Sequence, residues 1–249
     1  MEDRLLVVTP PNRLAQLGRG LVPAHPVYRA GNGRLFRVGQ ANPRGGAMVV
    51  DARGADHRGE VSALCRQVVQ ECAARNFCAV VCTGGGTVQR RLAAQLDEML
   101  NRRGIALYVP ECWGEYTTAA RVLIGSALSG GSLHCRLQEA AERFGGPERI
   151  ALWMERVAED FFLPAALGGG TALTGQELSR LMGRLKPAVF FSDELCARYF
   201  TYMTGEGGAH FVLFDDADTL RKKLQIARRL GIRRAVARWE DVSDLPPEK

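Results

Sequence analysis

With 249 residues, the chain suits one large domain or two small ones, and its 46% hydrophobic and 24% charged content is ordinary for a globular protein. A net charge of +6 permits an acidic partner, although moderate basicity more often sets solubility alone. No apolar run reaches membrane-spanning length, and seven cysteines without framework spacing or a CxxC pair, with only four scattered histidines, argue against a disulfide scaffold and a structural zinc site.

The opening MEDRLLVVTPPN lacks a signal-peptide pattern. Within it, Leu5–Val8 is a short apolar strand. Residues 10–46, rich in Gly, Pro and Arg, read as an irregular excursion with a hairpin, Val27–Ala30 and Arg34–Val38, around Gly31-Asn32-Gly33. From residue 47, strands and helices alternate. Ala47–Asp51 is a continuous apolar run, as in a buried parallel strand. In Glu60–Arg75, Val61, Leu64, Cys65, Val68, Val69 and Cys72 recur with helical period. Phe77–Cys82 is the next strand, and Thr87–Arg103 a helix stopped by Gly104. Ile105–Pro110 and Arg121–Ser126 are strands, Ser132–Phe144 a helix, and Arg149–Met154 a strand. Thr174-Gly-Gln-Glu177 is a capping box that opens a helix to about Arg184. Ala188–Phe191 reads as a strand, Thr219–Leu230 as a helix ended by Gly231, and Arg234–Arg238 as the last strand.

These eight candidate core strands are compatible with an α/β fold of the (β/α)8 TIM-barrel type, over a single domain spanning 1–249. An open doubly wound sheet has the same element order. Residues 192–214 form a ribbon insertion, and Cys65, Cys72, Cys78 and Cys82 read as buried reduced thiols, as expected in the cytoplasm.

The stretch Tyr199–Trp239 carries a more specific signal. An aromatic ribbon (Phe200, Tyr202) precedes a turn at Gly207. Then come His210, Phe214, Asp215-Asp216-Ala217, a helix containing Lys223, Gly231 and the strand Ala235–Arg238. This order and spacing resemble glycoside hydrolase family 18, especially its peptidoglycan and spore-cortex branch. Glu60–Pro110 and Glu148–Pro164 fit more loosely. The resemblance implies a sugar-cleaving barrel whose catalytic strand ends in D-x-x-D-x-D-x-E. There the final Glu is the acid and the preceding Asp orients the substrate's N-acetyl group, an exception to the two-carboxylate scheme. In this sequence, Thr83 replaces that Asp and Gly85 replaces the acid. Neither can protonate a leaving alkoxide. Leu123-Ile124-Gly125-Ser126 lacks the family's Met-x-Tyr-Asp, and Arg238 stands where its strand-eight tryptophan falls.

Other residues are weighed against plainer roles. Gly84, Gly85, Gly86 and Thr87 could hold an anion at a helix start, or simply form a tight β-to-α turn. Trp113, Trp153 and Trp239, with Glu155 and Asp160, are candidate ligand contacts, because indole rings stack on sugars and carboxylates bind hydroxyls; core or rim packing is the plainer role for the tryptophans. Glu111 and Glu155 are candidate relocated acids. His210 suits a structural hydrogen bond, and Asp215, Asp216 and Asp218 suit the positive end of the following helix. The eight Lys and Arg residues between Arg221 and Arg238 read as a solvated face.

The expectation is a catalytically silent barrel that binds an N-acetylglucosamine-type glycan or another small ligand at its mouth. An active glycosidase with a relocated acid, and a structural or protein-interaction module, are the alternatives. No cofactor, metal or membrane is expected, nor nucleic acid as a partner. The sequence specifies no oligomeric state.

Overall fold

The computed structural model describes residues 4–55, 60–84, 89–165, 169–205 and 207–245. In chain order, β1 (Arg4–Val8) leads through a 3₁₀ turn (Pro11–Gln16) to β2 (Val22–Gly31) and its hairpin partner β3 (Arg34–Arg37). Next come β4 (Ala47–Gly54), α1 (Val61–Arg75), β5 (Ala79–Thr83), α2 (Arg90–Asn101) and β6 (Ala106–Pro110). A 3₁₀ turn (Glu111–Tyr116), β7 (Arg121–Gly125), α3 (Leu133–Phe144) and β8 (Ile150–Met154) follow. The chain then enters β9 (Ala158–Leu163), β10 (Thr171–Ala172), α4 (Gly175–Leu185), β11 (Phe190–Ser192), β12 (Ala197–Met203) and β13 (Ala209–Phe214). It ends with α5 (Ala217–Arg229), β14 (Arg234–Arg238) and the one-turn α6 (Trp239–Val242).

Eight parallel strands run in the order β1-β14-β8-β7-β6-β5-β4-β2, and β2 pairs back to β1. Leu6 meets Val22 at that closure and Ala235 meets Leu5 on the other side, so the sheet is a closed (β/α)8 barrel. One core strand differs from expectation. The segment at 188–191 contributes Phe190–Ser192 to a separate sheet, and the barrel's second strand is Val22–Gly31, inside the stretch expected to be an excursion. Pro23 and Pro26 hide it, since proline within an apolar run argues against a central strand. The register against β4 shifts between His25 and Tyr28, and this irregularity carries Pro26.

Alternation along each strand sorts side chains to two layers. Leu6, Val49, Val81, Tyr108, Leu123 and Val236 fill the barrel interior. Val50, Val80, Val109, Ile124, Leu152 and Ala237 face outward, where they pack with the apolar stripes of the surrounding helices. Leu64, Cys65, Val68, Val69 and Cys72 form such a stripe on α1, at the expected spacing. α1 ends as Asn76 turns left-handed at φ 57°. Of the thiols expected to be buried, Cys78 is exposed: it precedes β5 and donates to the Gly46 carbonyl. No helix among the described residues is long and apolar enough to cross a membrane.

Between β8 and α5 lies a five-stranded antiparallel sheet, β10-β9-β13-β12-β11. Phe200, Val212 and Phe214 form one of its faces, and α4 covers them with Leu178, Leu181, Met182 and Leu185. The expected capping box opens α4, with Thr174 and Glu177 bonding reciprocally. At the sheet's exit, Asp216 caps α5, whereas Asp215 turns inward. Its Oδ2 lies 2.6 Å from Lys223 Nζ and accepts from Val157 N at 2.8 Å, and both ionic side chains are fully buried. Asp215 therefore does more than complement a helix dipole. It joins the insert, the start of β9 and α5 through one buried pair.

Candidate functional site at the barrel mouth

Inward alternation, followed to the C-terminal ends of the strands, delivers the side chains of the mouth. Continuing Ala47 and Val49 on β4 gives Asp51 and Arg53; Ala79 and Val81 on β5 give Thr83; Ala151 on β8 gives Trp153; and Val236 on β14 gives Arg238. Arg53, Thr83, Trp153 and Arg238 line one cavity of about 720 Å³, together with Gly84, Glu111, Glu155 and Glu240. Its size is that of a small-ligand pocket, and its place is where (β/α)8 barrels carry their sites.

At the end of β5, the described mouth residues Thr83 and Gly84 bear no carboxylate; the Thr83 hydroxyl is directed at the Val50 carbonyl, 3.5 Å away. Arg53 lies across Gly84 instead. A Cβ built on Gly84, which has φ +87°, would come 2.5 Å from Arg53 Cγ and 2.8 Å from Asp51 Oδ1. Glycine is thus required both by the backbone and by the crossing arginine. Arg53 Nη2 lies 2.7 Å from Asp51 Oδ2 and its Nε 3.0 Å from Oδ1, a fork-shaped pair. That guanidinium holds the Asp51 carboxyl below the usual carboxylate range.

Across the cavity, the Arg238 guanidinium sits 5.7 Å from the Trp153 ring centroid and 3.8 Å from Glu155 Oε1. Ser126 Oγ accepts from Glu155 N at 3.1 Å and donates to Glu155 O at 3.2 Å, fixing the backbone from which this carboxylate projects. Glu111 pairs with Arg136 and lies 3.7 Å from Arg143. Trp153, Glu155, Glu111 and Gly84 therefore share the mouth as candidate ligand contacts. Gly85, Gly86 and Thr87 lie outside the described residues, so the anion-site expectation rests here on Gly84 alone.

Three other candidates stand elsewhere. Trp113 is 1% exposed in the main core, because the turn after β6 folds it inward, where Gly114 lets the Phe144 ring approach. It has no face to offer a sugar. Trp239, one residue past Arg238, has the opposite parity and lines a groove outside the barrel. Asp160 is on β9 in the second sheet, where Tyr202 donates to it at 2.7 Å and His210 Nδ1 lies at 3.0 Å. His210 also stacks on Tyr202 with centroids 4.5 Å apart, and burial with the Asp160 bond pushes the Tyr202 hydroxyl up to about 12. This cluster braces the insert and does not line the mouth. The mouth residues that sequence reasoning missed, Asp51 and Arg53, are legible as the inward positions that extend Ala47 and Val49.

A closed barrel with an antiparallel sheet inserted before its last strand defines the class as a TIM-type (β/α)8 fold with one large insertion. Solved structures with a similar backbone include three enzymes. One is the spore cortex-lytic enzyme SleL of Bacillus megaterium, at 15% identity and TM-score 0.64 over 96% of this chain and 70% of that one. Another is a chitinase of Chromobacterium violaceum, at 14% and 0.65 over 94% and 93%. The third is a GH18 chitinase of Cycas revoluta, in a mutant form in complex with (GlcNAc)4, at 11% and 0.62 over 97% and 96%. The chain has the fold of these glycoside hydrolase family 18 chitinases and cortex-lytic enzymes. No family model and no curated protein sequence matches it.

Proposed function

We propose that this barrel binds an N-acetylglucosamine-type glycan at its mouth without hydrolysing it. The observation that carries the reading is the end of β5, where Thr83 and Gly84 offer no acid and Arg53, paired with Asp51, covers the strand. A neighbour of the same fold was crystallised with (GlcNAc)4, which supports the ligand class. Trp153 is the half-buried aromatic available for stacking, and Glu155 is the carboxylate placed to accept from sugar hydroxyls.

The second reading, a relocated general acid, would fall to Glu155 or Glu111. Both carboxylates are already engaged by arginines, so proton delivery would require those pairs to open. The test is calorimetric titration with (GlcNAc)4, alongside a turnover assay on chromogenic chitooligosaccharides. Binding without turnover is expected, with Trp153→Ala weakening it by roughly tenfold. Turnover that disappears in Glu155→Gln or Glu111→Gln would replace silence with relocated chemistry, and no binding at all would remove the glycan reading.

A further inference from the structure

On one side of the mouth the sheet continues past the barrel. The β4–β5 ladder stops at Asp51 and Thr83, but β4 stays paired to β2 as far as Gly54 and Gly31. β3 pairs with the same end of β2, so a three-stranded flap, β3-β2-β4, forms the rim there. Its outer face is fixed to the helix layer. Ala30 and Ala52 are buried, Leu35 packs on the main core, and Leu35 N and the Tyr28 hydroxyl donate to Gln67 and Glu71 of α1, each at 2.9 Å. Its inner face carries Asp51 and Arg53 from β4. Arg29, 3.9 Å from Asp51 Oδ2, shares that face, and so does Gly31 two residues on. Phe36 and Arg34 stand directly opposite Arg29 and Gly31 on β3, and directly opposed residues of an antiparallel pair point the same way.

Three guanidiniums and one carboxylate leave this face positive. Arg53 engages both oxygens of Asp51, whereas Arg29 stays outside hydrogen-bond distance of it. Arg34 has no hydrogen bond or ion pair among the described residues. Arg29 and Arg34 are exposed diagonal neighbours, about 7–8 Å apart at the backbone, a gap that two long side chains can close on one group. Beside both stands Gly31, which has no side chain. A Cβ there would lie 3.6 Å from Phe36 Cε2, so a notch is floored by Gly31, walled by a ring that is 46% exposed, and flanked by two guanidiniums. We propose that this notch is a rim subsite for the carboxylate of an acidic sugar, in a glycan whose acidic sugars alternate with N-acetylglucosamine. The inference rests on the glycan reading of the mouth and extends it. Guanidinium forks match carboxylates, and the phenyl ring offers an apolar wall to the sugar that bears one. Four strand steps separate β4 from β8 either way round the barrel, so the flap faces Trp153 across the mouth. A chain lying on Trp153 and crossing the mouth therefore meets the flap. Charge is balanced inside the cavity, and selection by charge falls to the notch. A nucleic acid, charged at every unit, would set phosphates against Glu155 and Glu240 on the same path, where an alternating glycan can place a neutral sugar.

The test is calorimetric titration of the full chain with three ligands: (GlcNAc)4, a hyaluronan hexasaccharide, in which glucuronate alternates with N-acetylglucosamine, and the methyl ester of that hexasaccharide. At low salt the acid should bind roughly fivefold more tightly than the ester, the upper range for an exposed ion pair. High salt should narrow the gap. Arg29→Gln with Arg34→Gln should abolish the preference for the acid. Gly31→Val fills the notch without changing its charge, suits a strand, and should abolish it too. Trp153→Ala should weaken acid and ester alike and so preserve their ratio. Should Gly31→Val fail to fold, the arginine double variant, at two exposed positions, decides. A preference that survives these changes overturns the subsite, and so does a single-stranded oligonucleotide that binds more tightly than the acid. Binding of (GlcNAc)4 with no preference for acid over ester removes the subsite alone. Binding of none of the three removes the glycan reading of the mouth together with it.

Discussion

The two cavities set arginine in different surroundings. At the mouth, Arg53 meets Asp51 and Arg238 approaches Glu155, so charge is balanced within the cavity and shape is left to select the ligand. At the seam between α5 and the segment after β1, the described lining holds five arginines around an apolar floor; Arg221 pairs with Asp218 at the rim, and Arg228 and Arg234 are engaged as well. Composition alone merges both sets into one basic total. The fold separates them: alternation on β14 sends Arg238 into the mouth, whereas Arg233 precedes the strand and stays outside. A cation's role is set by what the backbone places beside it.

The buried pair Lys223–Asp215 is the extreme of charge balanced inside the protein, and it gives the largest expected effect. Lys223→Met leaves an uncompensated buried carboxylate and should cost about 3–5 kcal/mol in urea unfolding. The double variant Lys223→Met with Asp215→Leu should recover much of that loss, and equal losses in both would mean that the pair is not the cause. Next is Gly84→Ala. Positive φ and the crossing of Arg53 together should cost about 1–3 kcal/mol and displace the arginine, weakening mouth binding while leaving the seam untouched.

A smaller effect tests the Arg53–Asp51 pair by pH. Because the folded carboxyl sits below its unfolded value near 3.8, its contribution is present above that pH and fades as pH falls through the lower folded value. Melting temperatures between about pH 2 and 5 should therefore fall less steeply in Arg53→Ala than in the wild type. Thiol labelling of the native protein should cost no stability and should stop at Cys78, Cys112 and Cys135. Cys65, Cys72 and Cys82, whose thiols burial pushes up to about 12, should react only after unfolding. Labelling of all seven in the folded state would contradict the packing.

Much of the barrel is legible in the sequence because buried parallel strands and amphipathic helices leave strong periodic signals, as in Ala47–Asp51 and the stripe of α1. β2 is hidden by its prolines. β11 resembles a core strand because an edge strand over an aromatic partner, Phe190 against Tyr199, is as apolar as a buried one. The position of Trp113 after a strand suggests the mouth, but the 3₁₀ turn reverses its direction, and no local pattern encodes that. Lys223 is readable as a buried residue, since it lies between Leu220 and Ala227 on the inward face of α5. Its charge alone groups it with the surface.

The closure of the barrel carries a consequence for how it is built. Strand β1 is held between β2 and β14, with Arg4 opposite Arg234 in the ladder. During synthesis, the first strand emerges long before its last partner, so one of its edges stays open while the rest of the sheet assembles. Contacts of such long sequence separation are slow to form and leave an apolar edge available to other chains. Truncation before β14 should therefore yield aggregation through β1 and β8, and supplying residues 232–245 in trans offers a direct way to watch the last stave close the barrel.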